Sequence, residues 1–237
     1  MFIFPMMGKS SRFFNAGYTT PKYRLALGGR TLFHRAVSSF SDYFQNRSFV
    51  FVVPADGETA SFVRASAQEL GIVDLTVVEL ETETSGQGET VAEALRQIVT
   101  QESIYIFNID TILTNFVEYD FGESVVGALD VFEAEGEHWS FVVPGPQDQV
   151  AETREKVRVS DLCSNGLYWF RSADDYLRAF DHAEAHWREA GETYIAPMYN
   201  VFTERGEDVR WRLVPSHWVL LAGTPDEYED LARRLQD

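Results

Sequence analysis

Apolar residues along the chain come in short unbroken runs, and most runs are followed by a stretch whose apolar positions recur at helical spacing. Phe2 to Met7 is the first run. It leads into Gly8-Lys9-Ser10-Ser11-Arg12, a pattern that predicts a buried strand ending in a loop. Leu32 to Tyr43 predicts an amphipathic helix, Ser48 to Val53 a buried strand stopped by Pro54, Glu58 to Leu70 a helix closed by Gly71, and Leu75 to Leu80 a strand. Gly86 to Gly88 predicts a loop, Glu89 to Thr100 a helix, and Ser103 to Ile109 a strand running into Asp110. Strand and helix alternate through these residues, which implies a parallel, doubly wound sheet with helices on both faces. In such sheets ligands bind beyond the carboxyl ends of the strands, where Gly8 to Arg12 and Asp110 both fall.

Beyond Asp110 the alternation loosens. Val125 to Phe132, Trp139 to Pro144, Gly166 to Phe170 and Val209 to Val214 predict strands, with a weaker alternation over Val150 to Ser160. Asp174 to Ala190 and Asp226 to Leu235 predict helices. No internal repeat, low-complexity segment or linker interrupts the chain. The expectation is one α/β domain over 1–237, its sheet mostly parallel but mixed in the second half and flanked by helices. At 237 residues the chain is somewhat longer than the usual domain of about 150, a length α/β folds commonly fill alone.

Composition narrows the function classes. The chain carries 20 Lys+Arg against 37 Asp+Glu, a formal net charge of −17, which argues against nucleic acid or an anionic membrane as partner. One cysteine, Cys163, allows no internal disulfide, and a reducing compartment is expected. The first residues do not read as a secretory signal, and no apolar stretch reaches the roughly 20 residues that span a bilayer, so the expected location is cytoplasmic.

Three groups of residues invite chemistry. Lys9, Arg12, Lys22 and Arg24 fall within 16 positions that contain no acid, which suits a small anion site built on the Gly8 to Arg12 loop; an ordinary surface loop is the competing reading. Asp110, at the end of an apolar strand, suits Mg²⁺ held jointly with substrate phosphates, or else a helix cap or Asx turn. Gln87, between Gly86 and Gly88, has an amide able to donate and accept toward a nucleobase edge, or it belongs to a capped loop. His182 and His186, four apart on a helix, read as a solvated face and Cys163 as a buried small residue.

Taken in order, these residues resemble the sugar-phosphate nucleotidyltransferases, a family with a Rossmann-like, glycosyltransferase-A-like α/β fold. The opening motif is Pro5-Met6-Met7-Gly8-Lys9-Ser10-Ser11-Arg12-Phe13 with Ala16-Gly17-Tyr18-Thr19-Thr20-Pro21-Lys22. Gly86-Gln87-Gly88-Glu89-Thr90-Val91 follows as the base loop, Asn108-Ile109-Asp110 as the metal aspartate, and Arg154-Glu155-Lys156 as the Glu-Lys pair. Asn165 to Phe170, Tyr194 to Asn200 and Gly223-Thr224-Pro225 complete the series. The compact length and the run Ser10 to Phe14 are most similar to cytidylyltransferases of capsule-type polysaccharide pathways, which act on phosphocholine, phosphoglutamine or sugar phosphates.

The resemblance implies transfer of a nucleoside monophosphate from an NTP, CTP by preference, to a phosphate monoester, with release of pyrophosphate and dependence on Mg²⁺. By matching position, residues 1–110 form a nucleotide-binding half and 111–237 an acceptor-binding half. Met7, Gly8, Lys9, Ser10, Ser11, Arg12, Gln87, Gly88 and Thr90 would bind the nucleotide. Arg12, Lys22 and Asp110 would be catalytic, Asp110 also holding the metal. Glu155, Lys156, Asn165, Gly166 and Tyr194 would meet the acceptor, and Lys9, Arg12, Lys22 and Lys156 are expected to converge on one cleft. A homodimer is compatible with the family.

Two positions depart from it. Ser10 stands where members often have Gly, and Leu221 where many carry a second metal aspartate; Asp161 and His217 are the stand-ins the sequence offers. The loss at Leu221 leaves a non-catalytic, nucleotide-binding regulatory homologue as an alternative. A glycosyltransferase consuming a nucleotide sugar is another, though Asn108 replaces the first aspartate of its usual Asp-x-Asp.

Overall fold

The computed structural model describes residues 1–187 and 191–235, and its fold is α/β, a mixed sheet flanked by helices. No helix among the described residues is long and apolar enough to cross a membrane. The chain divides into two compact units: residues 1–3, 82–107 and 118–216 form one, and residues 4–81, 108–117 and 217–237 the other.

In the second of these, strands Ser48–Pro54 and Asp74–Leu80 run parallel in register from Ser48 opposite Asp74 to Pro54 opposite Leu80. Helix Glu58–Leu70 connects them and ends where Gly71 adopts φ 79°, a left-handed turn that glycine takes without steric cost. The core is aromatic: Phe4 stacks on Phe51 at 4.9 Å, and Phe40 meets Phe116 edge-on at 4.8 Å. The segment read as one helix over Leu32 to Tyr43 is in fact two. Thr31 caps helix Leu32–Val37, and a tighter turn, Ser38–Tyr43, follows with Phe40 at φ −116°. The kink frees Ser39 Oγ to accept the Leu113 N–H at 2.9 Å. Two short pairings escaped the sequence pattern: Ala26–Leu27 with Arg30–Thr31, and Thr111–Leu113 with Val219–Leu221.

In the other unit, strand Ile104–Phe107 pairs in parallel with Phe2 and Ile3 and antiparallel with Leu162–Phe170. Strand Val125–Glu133 pairs antiparallel with Leu162–Phe170 and parallel with Asp208–Leu213; Ser140–Pro144 pairs with Val150–Glu155. Helix Gln87–Leu95 starts two residues before the predicted helix and ends five before its end, so Gln87 and Gly88 belong to its first turn and not to a loop. Gly86 stands at the start of this helix without a side-chain cap; Glu89 Oε2 accepts the Ser85 N–H at 2.5 Å and Thr90 Oγ1 donates to Gly86 O at 2.9 Å, tying the first turn to the residues before it. Helix Ala173–Trp187 matches the predicted one in its described part, and residues 188–190 of that prediction lie outside the described residues.

Cys163 is fully buried, as its apolar setting predicts. His182 and His186 stack at 4.2 Å, and no group of three or more His, Cys, Asp or Glu among the described residues is arranged to hold a metal.

Candidate active site

The unit containing the opening motif brings Ser10, Lys22, Asp110 and Gly223 together. After strand Phe2–Pro5 the chain turns at Ser10, whose φ of 52° is left-handed, and enters the five-residue helix Ser11–Asn15, so Ser11 and Arg12 are helical and not part of a loop. An L-residue in that conformation costs roughly 1–2 kcal/mol, which explains why glycine suits the position. Ser10 offsets this: it is buried, and its Oγ accepts the Lys22 N–H at 3.1 Å. Phe13 anchors the short helix, packing edge-on against Tyr18 and Tyr228. Met7 is half-buried, while Gly8, Lys9, Ser11 and Arg12 are exposed around the turn.

Lys22 follows Pro21 into a tight turn, and its Nζ forms an ion pair with Asp110 Oδ2. Asp110 is not a helix cap, since strand Thr111–Leu113 follows it. Its carbonyl accepts the Ala222 N–H at 2.9 Å, and a Cβ at Gly223 would stand 3.2 Å from Asp110 Oδ2. Arg24, grouped by sequence with the anion-binding bases, instead pairs with Glu58 and lies 4.9 Å over the Phe62 ring.

The donor set can be tested against Mg²⁺. A strand-end carboxylate is the hard oxygen donor that Mg²⁺ takes in ones or twos together with phosphates and water, and no group of three or more His, Cys, Asp or Glu among the described residues is arranged to cage a metal. Neither proposed stand-in for the missing aspartate fits as well. Asp161 is 76% exposed and paired with Arg158 at 2.6 Å. His217 precedes strand Val219–Leu221, whose opposite end places Leu221 across from Thr111, next to Asp110.

The other unit holds the remaining candidates. Gly86 and Gly88 permit a close approach, and the approaching group is the chain itself. A Cβ on Gly86 would lie 2.8 Å from Thr193 O, and one on Gly88 2.9 Å from the same atom and 2.3 Å from Met198 Cε. Gly88 N–H donates to Thr193 O at 2.9 Å, and Thr193 N–H to Ser85 O at 3.2 Å. Thr90 is buried with its hydroxyl 2.6 Å from Thr84 Oγ1, so it shapes this turn from inside. Gln87 is half-buried on the first turn of the helix.

Thr193 continues into Tyr194, whose hydroxyl bonds both Lys156 Nζ and Glu192. Lys156 Nζ also lies 4.3 Å from the Tyr194 ring centroid, and the hydroxyl contact raises the lysine's pKa. Glu155 is 3.8 Å from Lys156 and bonds the Ser140 hydroxyl, yet burial outweighs both and raises its pKa. Tyr168 is wholly buried nearby and pushed up to about 12, mainly by that burial.

Asn165 and Gly166 form a bulge in strand Leu162–Phe170, with Gly166 at φ 88°. Asn165 Oδ1 accepts the Leu167 N–H at 3.0 Å, while its buried Nδ2 has no protein partner among the described residues. Sequence reasoning missed Ser140, Glu192 and Thr193; a lone serine or threonine gives no periodic or spacing signal.

No family model matches the chain, and no curated protein matches it. Solved structures do. The nucleoside-diphosphate-sugar pyrophosphorylase from Vibrio cholerae RC9 is 44% identical, with 98% of this chain and 100% of that one covered and a TM-score of 0.92. A glucose-1-phosphate thymidylyltransferase described as putative, from Bacillus anthracis, matches in fold at 18% identity, TM-score 0.77, covering 100% of this chain and 95% of that one. The inositol-1-phosphate CTP transferase from T. maritima matches in fold at 15% identity, TM-score 0.76, covering 100% and 96%.

Proposed function

The chain belongs to the sugar-phosphate nucleotidyltransferase family, and from that membership we propose that it transfers a nucleoside monophosphate from an NTP to a phosphorylated acceptor and releases pyrophosphate. The observation that carries the reading is the Lys22–Asp110 pair, a mobile cation on a strand-end carboxylate, tied through Ser10 to the turn of the opening motif.

An oxygen of the acceptor's phosphate attacks the α-phosphorus in line; the new P–O bond forms as the bond to the β,γ-pyrophosphate breaks, and the electron pair leaves with pyrophosphate. Positioning and charge stabilisation are therefore the protein's task. Asp110 would hold Mg²⁺, which supplies charge neutralisation on the triphosphate when bound. Met7 to Ser11 line the phosphates, Arg12 takes the charge that accumulates on pyrophosphate, and Lys22 brings its ammonium to the α-phosphate oxygens. Gln87 reads the base from a turn that Gly88 and Thr90 hold. Lys156 binds the acceptor's phosphate. Glu155, Asn165, Gly166 and Tyr194 hold the rest of the acceptor, with Asn165 Nδ2 as an available donor.

CTP is the favoured donor and a sugar phosphate, phosphocholine or phosphoglutamine the favoured acceptor, in the making of capsule-type polysaccharide in the cytoplasm. This rests on the similarity of the Ser10 to Phe14 run and of Glu155-Lys156 to the compact cytidylyltransferases.

The test is to incubate the protein with Mg²⁺, each NTP and a panel of phosphate monoesters, and to assay pyrophosphate. Release with CTP and one acceptor is expected. Release with a different NTP alone replaces CTP, and no release with any pair overturns the reading.

A further inference from the structure

Leu221 removes a carboxylate from beside Asp110, and a different element returns one. The heavy atoms nearest the place where a Gly223 Cβ would stand belong to two carboxylates: Asp110 Oδ2 at 3.2 Å and Glu227 Oε2 at 3.5 Å. Glu227 is held there by a reciprocal cap on helix Pro225–Arg234. Its Oε2 accepts the Thr224 N–H at 2.9 Å, and its own N–H donates to Thr224 Oγ1 at 3.3 Å. A carboxylate offers about four acceptor positions, so the cap leaves Glu227 with capacity for another ligand.

Two carboxylate oxygens facing one point offer a divalent ion the hard oxygen donors that Mg²⁺ takes alongside phosphates and water. Lys22 supplies a single positive charge to Asp110. In the proposed reaction that ammonium turns to the α-phosphate, which leaves both carboxylates to a divalent ion.

We propose that Glu227 provides the second carboxylate of the Mg²⁺ site, replacing from the terminal helix the group lost at Leu221. This rests on the reading of Asp110 as the metal ligand. It also removes the motive for regarding the chain as a non-catalytic homologue.

Glu227→Gln is the informative change, because glutamine fits the same cap and only the charge is lost. Mn²⁺ binding to the full chain, followed by electron paramagnetic resonance without nucleotide, should weaken about tenfold, the low end of what loss of a supporting group costs a metal site. Adding Leu221→Asp to that variant should restore it.

Leu221→Asp alone gives a second readout that leaves the cap untouched. If Glu227 already serves, the extra aspartate tightens Mn²⁺ binding by no more than about twofold; tightening of about tenfold or more overturns the proposal. So does unchanged Mn²⁺ affinity in Glu227→Gln while Asp110→Asn loses it. Unchanged affinity in Asp110→Asn as well would instead overturn the metal reading of Asp110 on which both rest.

Discussion

Ser10 holds the backbone of Lys22: its buried hydroxyl accepts the Lys22 N–H at 3.1 Å from a residue whose own φ is 52°. One side chain thus joins the turn of the opening motif to the lysine that meets Asp110. Serine here trades backbone ease for a hydrogen bond that glycine cannot make.

The two terms can be separated. Ser10→Ala keeps the left-handed strain and loses the bond, and should cost about 1–2 kcal/mol in urea unfolding. Ser10→Gly loses the bond but relieves the strain, and should stay within about 1 kcal/mol of the parent. Alanine as stable as serine would mean that the bond contributes nothing.

Lys22 and Asp110 should matter more for turnover than for folding. Their pair is partly buried, the side chains 22% and 18% exposed, so losing one partner should cost more than the about 0–1 kcal/mol of an exposed pair and less than the about 3–5 kcal/mol of a fully buried one. A preorganised charge at the reacting phosphate is worth at least about a hundredfold in rate. Lys22→Ala and Asp110→Asn should each lower kcat by that factor, whereas the unfolding midpoint should fall only modestly. Near-normal kcat in either variant would remove that residue from the catalytic set.

Legibility in the sequence followed the range of the contacts. Helix Glu58–Leu70 was readable to the residue, because its apolar spacing and the closing Gly71 are both local signals. Asp110 was readable because an acid ending an apolar strand stands out. The pairing of Thr111–Leu113 with Val219–Leu221 was not, since three-residue strands a hundred positions apart leave no periodicity to detect. That pairing is what brings Gly223 and Glu227 to Asp110. Glu227 itself could be read as a helix cap, and its second neighbour was invisible until the helix was placed. The sequence flagged Gly86 and Gly88 only as flanks of Gln87, and it gave no sign that Thr193 packs against both of them.

That close approach is testable at Gly88. A Cβ there meets Met198 Cε at 2.3 Å and Thr193 O at 2.9 Å. The methionine end can swing away. The carbonyl cannot, because it is bonded to Gly88 N–H itself. Gly88→Ala should therefore cost about 1–3 kcal/mol, the usual penalty of overpacking, and Gly88→Ala with Met198→Ala should recover no stability. Full recovery in the double variant would show that the methionine was the sole obstacle.

Glu155 predicts the pH dependence of acceptor binding. Burial raises its pKa, while the Ser140 hydroxyl and the Lys156 ammonium oppose that shift. The ionised carboxylate is the form that accepts hydrogen bonds from an acceptor's hydroxyl or ammonium groups. The acidic limb of kcat/KM for the acceptor should therefore lie above the ordinary carboxylate range near 4.3. Ser140→Ala removes a group that favours the charged form and should move the limb further up, whereas Glu155→Gln should abolish it. Stability has the opposite sense. An acid whose pKa is higher folded than unfolded binds its proton more tightly in the native state, so ionising it costs native stability as pH rises through the raised value, and the cost is relieved below the unfolded one. Glu155→Gln should thus flatten stability against pH over that window, read as the urea midpoint at successive pH values. A limb that stays in place in Ser140→Ala would detach Glu155 from acceptor binding.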